Sequence, residues 1–138
     1  MNDITSYMLE QAKKILSIDS PTGFTAHAAE YVLGAYKKLG YDAKLTNKGG
    51  IFVCVNDGPD QADDPADAPI LLEAHMDTLG GMVCSINEKG RLMLSALGGM
   101  NPNNAEAENC RVYTRSGKVY SGTFQLKNAS IHVNGSYN

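Results

Sequence analysis

Helical periodicity is confined to the start of this chain, and that limits its fold more than any other feature. Ile4, Tyr7, Met8, Ala12, Ile15 and Leu16 recur at helical spacing, with Asn2 or Asp3 placed to cap, and predict a helix ending near Ser17. Pro21 and Gly23 then break the chain in Asp19-Ser-Pro-Thr-Gly-Phe-Thr25, where Thr22 or Thr25 can cap the next helix. That second helix is predicted from Ala26 to Leu39, with Ala28, Tyr31, Val32, Ala35, Tyr36 and Leu39 inward and Gly40 as its terminator. Beyond Asp77 no helical period recurs. A chain patterned this way begins as α/β and turns into all-β, so two architectures are expected, residues 1–78 and 79–138.

Between and after the helices the signals are those of strands. Tyr41 to Thr46 alternates, Asn47-Lys-Gly-Gly50 turns, and Ile51 to Val55 is a more continuous apolar run. Asp57 to Pro69 carries five aspartates, three prolines and no large hydrophobe, the composition of a surface excursion. Leu79–Asn87 and Leu92–Leu97 flank a turn at Glu88–Arg91, and Cys110–Thr114 and Val119–Phe124 flank another at Arg115–Lys118. Gly98-Gly99 opens an irregular polar stretch through Asn109, and Ser130 to Val133 reads as one more strand.

The stretch Ile70-Leu-Leu-Glu-Ala-His-Met-Asp-Thr-Leu-Gly-Gly-Met-Val83 carries the chemistry. Ile70 to Ala74 is a short branched apolar run that predicts a buried strand, with Glu73 on the face of His75. Side chains alternate along a strand, so His75 and Asp77 are expected on one side, at the strand end where open α/β sheets bind ligands. A neutral imidazole ligates a metal through one nitrogen and commonly gives its other N–H to a carboxylate, which Asp77 can supply. The plainer alternative is a capped strand end in which Asp77 opens a turn and satisfies His75. His27, in the first turn of the second helix, reads as solvated surface, and Glu73 as one half of a buried ion pair.

A net charge of −3 leaves no basic footprint for nucleic acid. No apolar run is long enough to span a membrane, and the opening residues lack the pattern of a signal peptide. Cys54, Cys84 and Cys110 are odd in number and widely spaced, which predicts reduced thiols buried in strands and a cytoplasmic protein.

Ser20-Pro-Thr-Gly-Phe-Thr25, then Leu71 to Val83, Gly98-Gly99, Cys110-Arg-Val-Tyr, Gly117-Lys, Gly122-Thr-Phe-Gln-Leu and His132 resemble, in order, the TET-type metalloaminopeptidases. That family includes glutamyl and deblocking aminopeptidases, and some members are labelled endoglucanases. The resemblance implies the start of a zinc-exopeptidase-type α/β/α catalytic domain in residues 1–78. It implies part of an inserted small β-barrel domain in 79–138. By the same resemblance His75 ligates one of two bridged divalent ions, zinc or cobalt, and Asp77 orients it. His132 matches a histidine of the inserted domain, where a structural or a substrate-pocket role is open. The implied partners are peptide substrates and further copies of the chain, as dimers assembling into a larger shell.

The departures from that family are equally specific. Members are longer, and their bridging aspartate, paired glutamates, further aspartate and last histidine find no counterpart here. No Glu-Glu pair occurs, and Asp63-Asp64 precedes the His-Met-Asp stretch instead of following the β insert. The expectation is an amino-terminal part of a metal-dependent aminopeptidase, supplying one ligand and inactive alone. The competing expectation is a noncatalytic truncated product acting as a binding or assembly module. A zinc hydrolase of acylated amino acids also uses a His-x-Asp strand, but Gly98-Gly99 and Gly117-Lys argue against it.

Overall fold

The computed structural model describes residues 3–55, 70–129 and 132. Its contacts divide the chain into two units, Met1–Thr78 and Leu79–Asn138. The elements are two amino-terminal helices followed by short antiparallel hairpins, a mixed α/β composition.

In the first unit, helix α1 covers Asp3–Leu16 and helix α2 covers Ala26–Lys38. Asp3 lies in the first turn of α1, near the positive end of the helix dipole, rather than ahead of it. The Tyr31 hydroxyl donates to Gln11 Oε1 at 2.7 Å and ties the two helices together. The end of α2 is closed by a pair of capping bonds. Gly40 N–H donates to Lys37 O and Tyr41 N–H to Tyr36 O, at 3.0 and 3.2 Å. Gly40 takes a φ of +91°, which its missing Cβ permits, and the Tyr36 and Tyr41 rings meet edge-on at 6.1 Å. The residues of α2 that are most buried are Ala28 and Ala29, while Leu39, expected inward, is 56% exposed.

A short hairpin comes next. Strands β1 (Lys44–Leu45) and β2 (Ile51–Phe52) pair antiparallel around the predicted turn, where Gly50 N–H donates to Thr46 Oγ1. Both strands are shorter than the alternation suggests. The excursion at 57–69 lies outside the described residues.

Ile70 to Ala74 corrects the expectation of a buried strand. It forms no strand, and Ile70, Leu71 and Leu72 are 88%, 71% and 91% exposed. A strand exists only when a neighbour takes its N–H and C=O groups, and no described residue does so here. Pairing starts at Thr78, which bridges Pro21 in parallel. Glu73, expected in a buried ion pair, is exposed.

The second unit is built from two hairpins. Strands β3 (Gly80–Ile86) and β4 (Leu92–Leu97) pair antiparallel, with a register shift between Val83 and Ser85. Strands β5 (Asn109–Tyr113) and β6 (Val119–Thr123) pair in unbroken register. The close approach at Gly81 shows where this unit packs, since a Cβ there would meet Leu94 and the Phe124 ring at 3.3 and 3.6 Å. An open groove of about 1060 Å³ lies in this unit, lined by Met93, Leu94, Cys110, Val112, Phe124 and Leu126 among others.

A one-turn helix α3 (Pro102–Ala105) interrupts the stretch predicted as irregular. It forms because Asn101 caps it, accepting from Asn103 N–H at 3.0 Å, and Pro102 occupies the first position. Cys54 and Cys84 are exposed and Cys110 is half-buried, so the expected burial of the cysteines does not hold. Short hairpins with a solvated face leave small side chains open. The strand predicted at Ser130–Val133 lies outside the described residues except for His132.

Candidate functional site

The Ser-Pro-Thr-Gly turn and the His-Met-Asp-Thr stretch come together at one place in the first unit. Phe24 N–H donates to Pro21 O at 2.7 Å, closing a β-turn with Gly23 at its third position and a φ of +85°. Two backbone bonds then fasten the turn to Thr78. Thr78 N–H donates to Ser20 O at 2.7 Å, and Thr22 N–H donates to Thr78 O at 3.2 Å.

That fastening sets Thr22 beside Asp77. The Thr22 hydroxyl donates to Asp77 Oδ2 at 2.7 Å. It is neither of the capping roles open in the sequence. Thr25 is the residue at the start of α2, its side chain makes no capping bond, and Thr22 is engaged with Asp77. The Thr22 hydrogen bond is also the first cause holding the Asp77 carboxyl below the ordinary aspartate value of 3.8, with the nearby His75 adding to it.

His75 and Asp77 meet across their two-residue spacing. His75 Nδ1 lies 2.9 Å from the Asp77 peptide oxygen and 3.3 Å from Asp77 Oδ1. A carbonyl oxygen and an ionised carboxylate can only accept, so Nδ1 carries the ring proton. In the neutral ring Nε2 then keeps its lone pair, the form in which imidazole ligates a metal. The His75 side chain is 86% exposed, and that of Asp77 is 39% exposed.

The donor set near His75 is small. Among the described residues no group of three or more His, Cys, Asp or Glu is placed to hold a metal ion. The chemistry of His75 therefore fits a single ligand, and the described residues do not make a complete site. His27 is exposed in the first turn of α2, with its ring edge-on to Phe24 at 5.8 Å, as expected of helix surface. His132 is exposed, in a turn of the second unit. Thr22 is the member that residue types alone do not reveal, because a hydroxyl in a Pro-Thr-Gly turn carries no mark of its partner fifty-five residues away.

One further oddity sits beside the turn. Ser20 is 1% exposed, and its hydroxyl has no hydrogen-bond partner among the described residues.

The chain thus sets a His-x-Asp pair, held by a Pro-Thr-Gly turn in a mixed α/β unit, ahead of β hairpins. The pattern of the M42 glutamyl aminopeptidase family matches residues 50–137. The chain belongs to that family. It is 36% identical over 125 residues to "Putative aminopeptidase YhfE" of Bacillus subtilis (strain 168), a match over 91% of this chain and 34% of that protein. It is 32% identical over 112 residues to "Glutamyl aminopeptidase" of Lactococcus lactis subsp. cremoris (strain MG1363), over 80% of this chain and 30% of that protein. The chain thus spans about a third of the length of these curated relatives. No described helix is long and apolar enough to cross a membrane.

Proposed function

We propose that these residues serve a metal-dependent aminopeptidase, a longer enzyme in which they supply His75 as a ligand of one of two divalent ions. Asp77 orients His75, and peptides that lose amino-terminal residues are the substrates. The observation that carries this reading is the state of the imidazole. Nδ1 is committed to Asp77 through two acceptors, and Nε2 is left with its lone pair toward solvent. Paired divalent ions such as zinc or cobalt supply Lewis acidity toward a peptide carbonyl. This chain's own part is to fix the tautomer of one ligand and to hold its ring by a backbone turn.

The burial pattern supports a larger enzyme. The fully buried described residues are Ala28, Ala29, Ala43 and Ser20, whereas Ile70, Leu72, Leu16 and Ile4 are between 67% and 91% exposed. Apolar area on that scale is covered in a finished protein, by further chain or by further copies. In this reading residues 1–78 begin the α/β/α catalytic domain, and 79–138 contribute to the inserted β-barrel domain. His132 then belongs to the inserted domain, at the substrate side. Assembly into dimers and a larger shell is part of the same proposal.

A noncatalytic binding or assembly module is the second reading, favoured by the absence of a three-ligand cluster among the described residues. One experiment separates the two. The full-length protein is purified, its bound metal is quantified, and release of amino acids from several aminoacyl substrates is followed for wild type and His75→Ala. Loss of metal and of turnover in a folded His75→Ala protein supports the peptidase. Unchanged metal stoichiometry and activity in that variant sinks it.

A further inference from the structure

We propose that Thr22 is a positioning residue for the His75–Asp77 pair. Its hydroxyl pins one carboxylate oxygen so that the other, together with the Asp77 peptide oxygen, stays on His75 Nδ1. The two oxygens of Asp77 face different partners. Oδ2 accepts from Thr22 Oγ1 at 2.7 Å, and Oδ1 lies 3.3 Å from His75 Nδ1. A carboxylate whose side chain is 39% exposed rotates freely in water unless something holds it, and the Thr22 bond is the side-chain hydrogen bond that does so.

The hydroxyl is not needed to hold the turn. Two backbone bonds, Thr78 N–H to Ser20 O and Thr22 N–H to Thr78 O, already fasten it and make up the parallel bridge of Pro21 with Thr78. Gly23 and the Phe24-to-Pro21 bond shape it from within. The Thr22 side chain is therefore free for the carboxylate and makes no cap to α2. Valine has the same branched shape without the donor, and the site is exposed, so Thr22→Val removes the bond while leaving the turn. Thr22→Ser keeps the donor.

The consequence for the tautomer rests on geometry alone, and the consequence for metal rests on the reading of His75 as a ligand. The test uses the full-length protein and two readouts. The first is the ring nitrogen spectrum of His75 in metal-free protein, which reports which nitrogen carries the proton. Wild type and Thr22→Ser are expected to hold the proton on Nδ1, and Thr22→Val to shift population toward Nε2–H. The second is the affinity for added Co²⁺ or Zn²⁺, expected to fall about 10-fold in Thr22→Val and to be restored in Thr22→Ser. An unchanged tautomer in Thr22→Val, or a Thr22→Ser variant that behaves as valine does, overturns the proposal. So does a Thr22→Val protein whose amide spectrum shows a lost fold, because the backbone is then not what holds the turn. If metal leaves the His75 ring signals of wild type unmoved, the ligand reading fails by itself, and the tautomer comparison still decides the role of Thr22.

Discussion

The peptide oxygen of Asp77 stands closer to His75 Nδ1 than its carboxylate does, 2.9 Å against 3.3 Å. The nearer acceptor belongs to the backbone, so no substitution at position 77 removes it. Asp77→Asn therefore keeps that acceptor and loses the carboxylate's share of the orientation, and it is expected to shift the tautomer toward Nε2–H at least as far as Thr22→Val does. In the full-length protein its metal affinity should fall by about 10-fold, the mild end of what loss of a ligand's hydrogen-bond partner costs. His75→Ala should lose binding at that ion altogether. Calorimetric titration with Zn²⁺ compares the two, and an Asp77→Asn protein as metal-poor as His75→Ala would show that the carboxylate dominates.

Ser20 offers a test of the turn that involves no metal. Its hydroxyl is buried without a partner among the described residues, next to the backbone bond from Thr78 N–H to Ser20 O. An orphaned buried hydroxyl costs more than a methyl in the same place, so Ser20→Ala should stabilise the protein by about 1 kcal/mol. The backbone bond at Ser20 O is untouched by the change. A rise in the denaturant midpoint at unchanged slope is the expected result, and a fall would mean that the hydroxyl has a partner.

How much of the fold and the site is legible in the sequence depends on whether a signal is local. Helices α1 and α2, the Gly40 stop and the turns of both distal hairpins come from period and turn chemistry, which act over a few residues. The His75–Asp77 contact is legible for the same reason, since the two lie two positions apart. Ile70 to Ala74 misleads because a buried strand is a statement about neighbours, and apolar composition does not say whether they are there. Helix α3 is missed because a single capped turn has no period to detect, and only its Asn101-Pro102 start marks it in the sequence. Thr22 looks like a cap in the sequence; only the pairing of its turn with Thr78 brings it to Asp77.

The pair Glu10 and Lys14 makes the stability of α1 depend on pH in a defined window. The Lys14 hydrogen bond, then its charge, holds the Glu10 carboxyl below its ordinary 4.5, and Glu10 in the same way holds Lys14 above its ordinary 10.5. A lowered carboxyl contributes stability that is complete above 4.5 and is lost as pH falls through the lower folded value. A raised amine contributes stability that is complete below 10.5 and is lost as pH rises through the higher folded value. Both side chains are more than half exposed, so the effect is small and screened by salt. Glu10→Gln should lower the thermal midpoint slightly across that window and match wild type in acid. A difference that persists in acid, or that does not shrink in high salt, would assign it to packing.

Two positions with left-handed backbone make opposite predictions from one cause. Gly40 holds a φ of +91° at the end of α2, and no atom lies within 4 Å of where a Cβ would sit. Gly40→Ala therefore meets no clash, and its cost is conformational alone, about 1–2 kcal/mol. Ala107 is the reverse case, a non-glycine residue at a φ of +65° between α3 and β5. It is kept there by its neighbours: Ala107 N–H donates to Phe124 O, Glu108 N–H to Ala105 O, and Phe124 N–H to Glu108 O. The Glu106 carboxylate accepts from Leu126 N–H on the same side. Because those bonds fix the backbone whatever the side chain, Ala107→Gly should relieve the left-handed strain and stabilise the second unit by up to about 1 kcal/mol. Denaturation curves of the two variants decide the point. Destabilisation by both would mean that the entropy glycine adds to the unfolded chain outweighs the strain it removes at position 107.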